Sequence, residues 1–125
     1  MIKTLLLVGL GGGLGSILRY LSSVLVTRHF NTAFPLATFL VNITGCFLIG
    51  LLVSLIEKQT WAGDNFKYLF ITGFCGGFTT FSAFAHENVG LISNQQTLIA
   101  FAYIAASVVI GLLFIWLGMA AGRLF

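Results

Sequence analysis

The stretch GFCGGFTTFSAF, residues 73–84, decides how this chain is interpreted. It contains no charged residue, so hydropathy alone predicts a membrane helix. The twin glycines Gly76 and Gly77 favour unwinding, however, and the hydroxyls of Thr79 and Thr80 compete for backbone groups. Broken helices at membrane depth are tolerated only where they meet protein, water or an ion. The stretch therefore predicts a membrane helix that is broken at the twin glycines and that handles an ion.

Composition places the whole chain in the membrane. Its 125 residues are 58% hydrophobic and only 7% charged, whereas soluble domains carry roughly 25% charged residues. This length predicts a single domain, residues 1–125. The net charge of +3 comes from six basic residues that are scattered along the chain. A nucleic-acid partner would need them clustered, so none is expected.

Four apolar stretches have the length of about 20 residues that a membrane-spanning helix needs. They cover residues 4–26, 35–56, 66–92 and 97–121, with short connections between them. The prediction is an all-α integral membrane protein whose third helix is broken and whose termini lie on the same side. The bias in basic residues is weak, so insertion in both orientations is expected. One side has Lys3, Lys58, Lys67 and Arg123, and the other has Arg28 and the deeper Arg19.

Glycines four residues apart recur in the first and fourth spans. Such pairs let a neighbouring helix approach closely, and helix packing alone is a sufficient explanation for them. The pairs are Gly9 with Gly13, Gly11 with Gly15, and Gly118 with Gly122.

Two stripes of polar and small residues lie at helical spacing and could line a narrow path. Asn42, in the second predicted span, is an amide among aliphatic residues, which either bridges two helices or donates to a passing ion. One stripe comprises Thr38, Asn42 and Gly45, and the other comprises Tyr103, Ser107 and Gly111.

Two charged residues belong to the spans rather than to the loops. Arg19 lies seven residues before the end of the first predicted span. It is either an anchor that snorkels outward or a cation that attracts anions into a vestibule. Glu87 is the sole acidic candidate for a membrane-embedded role, with a solvated carboxylate as the alternative. His29 and His86 are isolated, so no hydrolytic or metal-ligand pattern is present.

Three segments together resemble the small bacterial fluoride channels of the CrcB/Fluc family. GFCGGFTTFSAF is similar to the family's third-helix signature. VNITG at 41–45 and GGGLGSILRY at 11–20 resemble its second-helix and first-helix motifs. Without this resemblance, Phe81 and Phe84 would be interpreted as ordinary packing residues.

The resemblance implies an antiparallel, dual-topology homodimer in the bacterial inner membrane, with two pores that passively export fluoride. It implies a structural Na⁺ at the dimer interface, bound by the backbone carbonyls of Gly76 and Thr79. Arg19 and Glu87 match the family's vestibule residues. The implied fluoride pore comprises Asn42, Thr80, Phe81, Ser82, Phe84, Tyr103 and Ser107.

Three alanines depart from the family pattern. Ala83 and Ala85 stand where the family has hydroxylated residues, and Ala37 replaces a glycine. With fewer donors along the pore, conduction is expected to be slower and selectivity to be retained.

Two other classes compete with this interpretation. A dual-topology, proton-coupled small exporter would need an acidic residue in mid-span, where the first span has Arg19 instead. A membrane scaffold without transport would leave the GGFTT interruption unexplained.

Overall fold

The computed structural model describes residues 1–59 and 62–125, and every regular element in those residues is helical. Helix α1 (Ile2–His29), helix α2 (Leu36–Lys58) and helix α6 (Thr97–Gly122) are long and continuous. A third segment of comparable length, Asp64–Ser93, consists of four shorter pieces. These are α3 (Asp64–Phe66), the π-helix π1 (Lys67–Cys75), α4 (Gly76–Phe78) and α5 (Phe81–Ser93).

The four predicted spans correspond to four segments that are apolar and long enough to cross a membrane. Each segment continues slightly beyond the predicted end. In α1 the extension carries Arg28 and His29 in the last turn, and the negative end of the helix dipole there favours the charge of Arg28. The predicted connection 57–65 falls partly outside the described residues.

Glycines bring α2 and α6 into close contact. A Cβ built at Gly50 of α2 would overlap the carbonyl oxygen of Ile115, and one built at Gly118 of α6 would overlap that of Phe47. In α6, both glycines of the predicted pair, Gly118 and Gly122, are buried. This spacing thus serves helix packing within the chain.

Helix α1 packs in the same way against the first half of the third span. Gly11 and Gly15 are its buried residues, and a Cβ at either position would overlap a backbone oxygen, of Leu69 or Phe74. By contrast, nothing in the described residues lies within 4 Å of a Cβ built at Gly9 or Gly13. Only one of the two predicted pairs in α1 therefore packs inside the protomer.

The twin glycines do not mark the end of helical structure in the third span. Gly76 has helical torsions (φ −63°, ψ −38°), and both glycines belong to α4. A Cβ at Gly77 would overlap the carbonyl oxygen of Gly12, so this glycine is needed for close approach to α1. The prediction that the helix breaks at the twin glycines is wrong. The residues with extended torsions are Thr79 (φ −81°, ψ 158°) and Thr80 (φ −151°, ψ 120°). We call Thr79 and Thr80 the extended pair.

Large apolar side chains cover the outer faces of α1 and α6. This surface suits lipid tails or another apolar protein surface, because water would penalise it. It includes Leu10, Leu14, Leu21, Val109, Leu112 and Trp116.

Candidate functional site

Asn42 in α2 binds the backbone of the extended pair. Its Nδ2 donates to the carbonyl oxygen of Thr80 at 3.0 Å, and its Oδ1 accepts the Thr80 N–H at 2.8 Å. The amide thereby replaces both hydrogen bonds that Thr80 would have in a continuous helix. Of the two sequence-based alternatives for Asn42, the bridge between helices is the one that the structure displays.

All three residues of the α2 stripe meet the third span, at the extended pair and in α5. Thr38 Oγ1 donates to Glu87 Oε1 at 2.5 Å, one turn from the contact between Asn42 and Thr80. A Cβ at Gly45 would overlap the methyl group of Thr79. The spacing i, i+4, i+7 therefore correctly indicated one face of α2, and that face meets the extended pair and α5.

A cavity of about 320 Å³ opens beside the extended pair. Its lining brings together five of the seven residues predicted for the pore: Asn42, Thr80, Phe81, Phe84 and Ser107. Ser82 is not in this lining; it is exposed, and its Oγ lies 3.2 Å from Thr80 Oγ1. Tyr103 lies behind Phe84 instead. The role of all seven residues in conduction stays a prediction.

Aromatic rings form one wall of this region. The Phe81 and Phe84 rings lie 5.7 Å apart with an interplanar angle of 44°. Tyr103 meets Phe84 edge-on at 4.9 Å and meets Phe34, from the α1–α2 connection, at 5.2 Å. Tyr103 is fully buried, whereas Phe81 is 78% exposed. Phe84 is thus fixed by its neighbours, while Phe81 projects from the surface of the protomer.

Glu87 is tied into a small network of hydroxyl groups. Besides the bond from Thr38, its Oε2 accepts from the Tyr103 hydroxyl at 3.4 Å. Glu87 also lines a second cavity of about 490 Å³, between the end of α1, the connection that follows it, and α5. The alternative of a freely solvated carboxylate does not describe this half-buried, doubly hydrogen-bonded group.

Two backbone carbonyl groups, those of Gly76 and Thr79, have no hydrogen-bond partner among the described residues. The N–H of Thr80 goes to Asn42 rather than to Gly76, and the N–H of Ala83 goes to Thr80 Oγ1 rather than to Thr79. Within residues 1–59 and 62–125, no hydrogen bond ends on the carbonyl oxygen of Gly76 or Thr79. Gly76 is also exposed. Oxygens left in this way in a membrane need a ligand, water or a partner protein.

Arg19 binds the backbone of the third span. Its Nε donates to the carbonyl oxygen of Gly77 at 3.1 Å, and Ser16 Oγ donates to the same oxygen at 3.4 Å. Arg19 lines neither the 320 Å³ cavity nor the 490 Å³ cavity. Its predicted place in a vestibule stays a prediction.

Sequence reasoning missed Asn88. This residue is 6% exposed, its Nδ2 donates to the Phe84 carbonyl at 2.8 Å, and its Oδ1 has no partner among the described residues. Its only signal in the sequence is an amide in the apolar third span, beside Glu87. That position gives no indication of whether the side chain is buried.

Fluoride-specific ion channels from several bacteria resemble the chain over nearly its full length. A fluoride-specific ion channel FluC of Flavobacterium psychrophilum is 50% identical over 117 residues, which is 94% of each chain. The FluC of Azobacteroides pseudotrichonymphae is 48% identical over 120 residues, again 94% of each chain. The FluC of Gloeothece citriformis is 50% identical over 115 residues, 92% of this chain and 93% of its own.

The family pattern described as CrcB-like protein, camphor resistance (CrcB), matches residues 6–119. That range includes all four membrane-length segments in large part, the extended pair and both cavities. This multi-pass membrane protein therefore belongs to the CrcB-like family.

Proposed function

We propose that this protein is a fluoride-selective channel that passively exports fluoride across the bacterial inner membrane. The observation that carries the proposal is near-50% identity, over more than nine-tenths of the chain, to proteins named fluoride-specific ion channels. The 320 Å³ cavity also supports anion conduction on physical grounds. Its described lining combines an amide, hydroxyl groups and aromatic rings and includes no carboxylate.

The lining suits a small, strongly hydrated anion. Asn42 uses one N–H on Thr80, and its amide has a second N–H that can donate to fluoride. Hydroxyl groups of Thr80 and Ser107 add donors. The positive edges of the Phe81 and Phe84 rings favour an anion over a cation. Fluoride thereby exchanges water for fixed donors along the cavity wall.

Two copies of the chain, arranged antiparallel with two pores, form the proposed channel. Phe81 and Gly76 are exposed on the single protomer, although both belong to the segment that the function needs. A second copy against this face covers the aromatic ring and the bare carbonyls together. Gly9 and Gly13 leave a smooth strip on α1 that permits a close approach.

The carbonyls of Gly76 and Thr79 fit the Na⁺ that the family resemblance implies. They are hard oxygen donors without hydrogen-bond partners in the described residues, and two copies would supply four of them. A bound Na⁺ would neutralise the partial negative charge of these oxygens. The chain's contribution is to hold them free of helical hydrogen bonds, because the Thr80 N–H goes to Asn42 and the Ala83 N–H goes to Thr80 Oγ1.

Efflux from proteoliposomes tests the proposal. Vesicles loaded with potassium fluoride or potassium chloride are given a potassium ionophore, and anion release is followed with ion-selective electrodes. Rapid fluoride release without chloride release is expected. Release that depends on an imposed pH gradient, or transport of organic cations, would instead favour the proton-coupled exporter.

A pair of phenylalanine variants connects this efflux with the cavity. Phe81→Ala removes a lining ring and is expected to slow fluoride release by about tenfold or more, the cost of one strong contact. Phe101→Ala, on the exposed face of α6 outside the cavity lining, is the control. Equal fluoride efflux rates in the two variants would mean that the Phe81 ring does not contribute to conduction.

A further inference from the structure

The carbonyl of Gly77 has two side-chain donors from α1. In a continuous helix this oxygen would accept the N–H of Phe81, four residues later, but Phe81 is the first residue of α5. Arg19 Nε and Ser16 Oγ bond to it instead, at 3.1 and 3.4 Å. Close contact between Gly77 and Gly12 brings α1 near enough for this bond. Helix α1 therefore supplies the donors for the Gly77 carbonyl at the point where helix α4 ends.

Fixing this one carbonyl also fixes its neighbours. Successive carbonyl oxygens of a helix lie about 100° apart around the axis, because a turn has 3.6 residues, and all of them point along the axis toward its carboxyl end. Gly77 lies against Gly12 of α1, whereas Gly76 is exposed and nothing described lies within 4 Å of a Cβ built on it, so a bond that holds Gly77 also keeps Gly76 on the open side of α4. The extended pair starts two residues beyond Gly77.

We infer that Arg19 is a positioning residue whose Nε–H, by holding the Gly77 carbonyl, sets the geometry of the extended pair and of the pore beside it. Conduction requires this hydrogen bond rather than attraction of fluoride by the guanidinium charge. The geometry agrees, since Arg19 lines neither cavity. The inference rests on the proposed fluoride channel function.

Two substitutions separate the hydrogen bond from the charge. In Arg19→Gln the amide nitrogen occupies the same place along the side chain as arginine Nε, so an N–H donor remains and the charge is lost. In Arg19→Lys the charge remains, but a methylene group occupies that place and the ammonium lies one atom farther out. Arg28→Gln, exposed near the end of α1, removes one positive charge from the same helix and is the control for net charge.

Fluoride efflux is measured for the wild type and all three variants, after size-exclusion chromatography and thermal unfolding in detergent establish which are folded. We expect Arg19→Gln to stay within about threefold of the wild-type rate and Arg19→Lys to fall by about tenfold or more, the effect of one charge-assisted hydrogen bond. Arg28→Gln is expected to match the wild type. A fast Lys variant with a slow Gln variant, or equal loss in both, would overturn the inference. Wild-type protein that releases no fluoride would contradict the proposed function instead.

A measurement on the native chain does not depend on the folding of any variant. The chain has three arginines, Arg19, Arg28 and Arg123, so ¹⁵N-arginine labelling gives a sparse spectrum. Solid-state NMR with ¹³C-carbonyl glycine is expected to detect a dipolar contact between Arg19 Nε and the Gly77 carbonyl carbon in membranes. A folded, conducting sample in which Arg19 Nε has no glycine carbonyl neighbour would also overturn the inference.

Discussion

At the scale of single residues, Asn42 makes the extended pair possible. Two backbone groups released at Thr80 would each cost a few kcal/mol in hydrocarbon if they had no partner. A side-chain amide offers a donor and an acceptor side by side without carrying a charge, as both contacts to Thr80 need. The side chain that bridges α2 to the extended pair is also one that lines the 320 Å³ cavity.

Asn42→Ala is expected to lower the free energy of unfolding by about 3 kcal/mol. The variant loses two hydrogen bonds and leaves the N–H and C=O of Thr80 unpaired at a half-buried position. Chemical denaturation in detergent measures the change. Asn31→Ala, at an exposed position in the α1–α2 connection, is expected to change stability by less than about 0.5 kcal/mol. Similar values for the two variants would mean that the Asn42 bridge contributes nothing to stability.

Ala83→Thr is expected to raise the fluoride efflux rate. Ala83 follows the cavity-lining residues Thr80 and Phe81 by less than one turn of α5, and a hydroxyl there adds a donor near the path. The expected gain is about threefold to tenfold, the value of one neutral hydrogen bond. Ala83→Val has the same shape as the threonine variant without the hydroxyl, so it controls for bulk. Equal rates for the Thr and Val variants would contradict the donor argument.

At the scale of helices, several glycines are needed where one helix contacts the backbone of another. Those at Gly11, Gly15, Gly50 and Gly118 lie where a methyl group would overlap the backbone of a neighbouring helix. Gly77 belongs to the same group, which explains why helical structure persists through it and ends only at Thr79. A glycine in a membrane helix is thus a contact residue here more often than a point of unwinding.

Gly118→Ala and Gly90→Ala are expected to change stability in opposite directions. The added methyl at Gly118 overlaps the Phe47 carbonyl oxygen, which forces α2 and α6 apart and costs about 3 kcal/mol. At Gly90, in α5, nothing described lies within 4 Å of the added Cβ, so alanine gains up to about 1 kcal/mol from helix propensity. Unfolding of both variants in detergent provides the comparison. If both variants lost the same free energy of unfolding, contact with a neighbouring helix would not explain the need for glycine at position 118.

At the scale of the whole molecule, the sequence predicted those features of the fold that depend on local chemistry. Hydropathy predicted four membrane-length segments, and helical spacing predicted which residues of α2 share a face with Asn42. The sequence analysis placed the helix break at Gly76 and Gly77, because the backbone freedom of glycine is a local property. The contact of Gly77 with Gly12, which keeps this part helical, depends on tertiary packing. The partner of Arg19 and the burial of Asn88 were out of reach for the same reason.

The distribution of charge over the whole molecule predicts that the chain inserts in both orientations. Lys3, Lys58, Lys67 and Arg123 lie at one end of the four-helix unit and Arg28 at the other, and with so few charges the positive-inside bias is weak.

A single cysteine at Gln96, in the exposed α5–α6 connection, reports this orientation once Cys46 and Cys75 are replaced by alanine. A membrane-impermeant maleimide is expected to label about half of the cysteines in intact spheroplasts and all of them after permeabilisation, because a near-balanced bias populates both orientations. Adding Asn94→Lys to the same chain strengthens the charge at that end, so the labelled fraction from outside is expected to fall. Complete labelling or complete protection before permeabilisation would mean a single orientation, and an antiparallel pair could not then assemble from this chain alone.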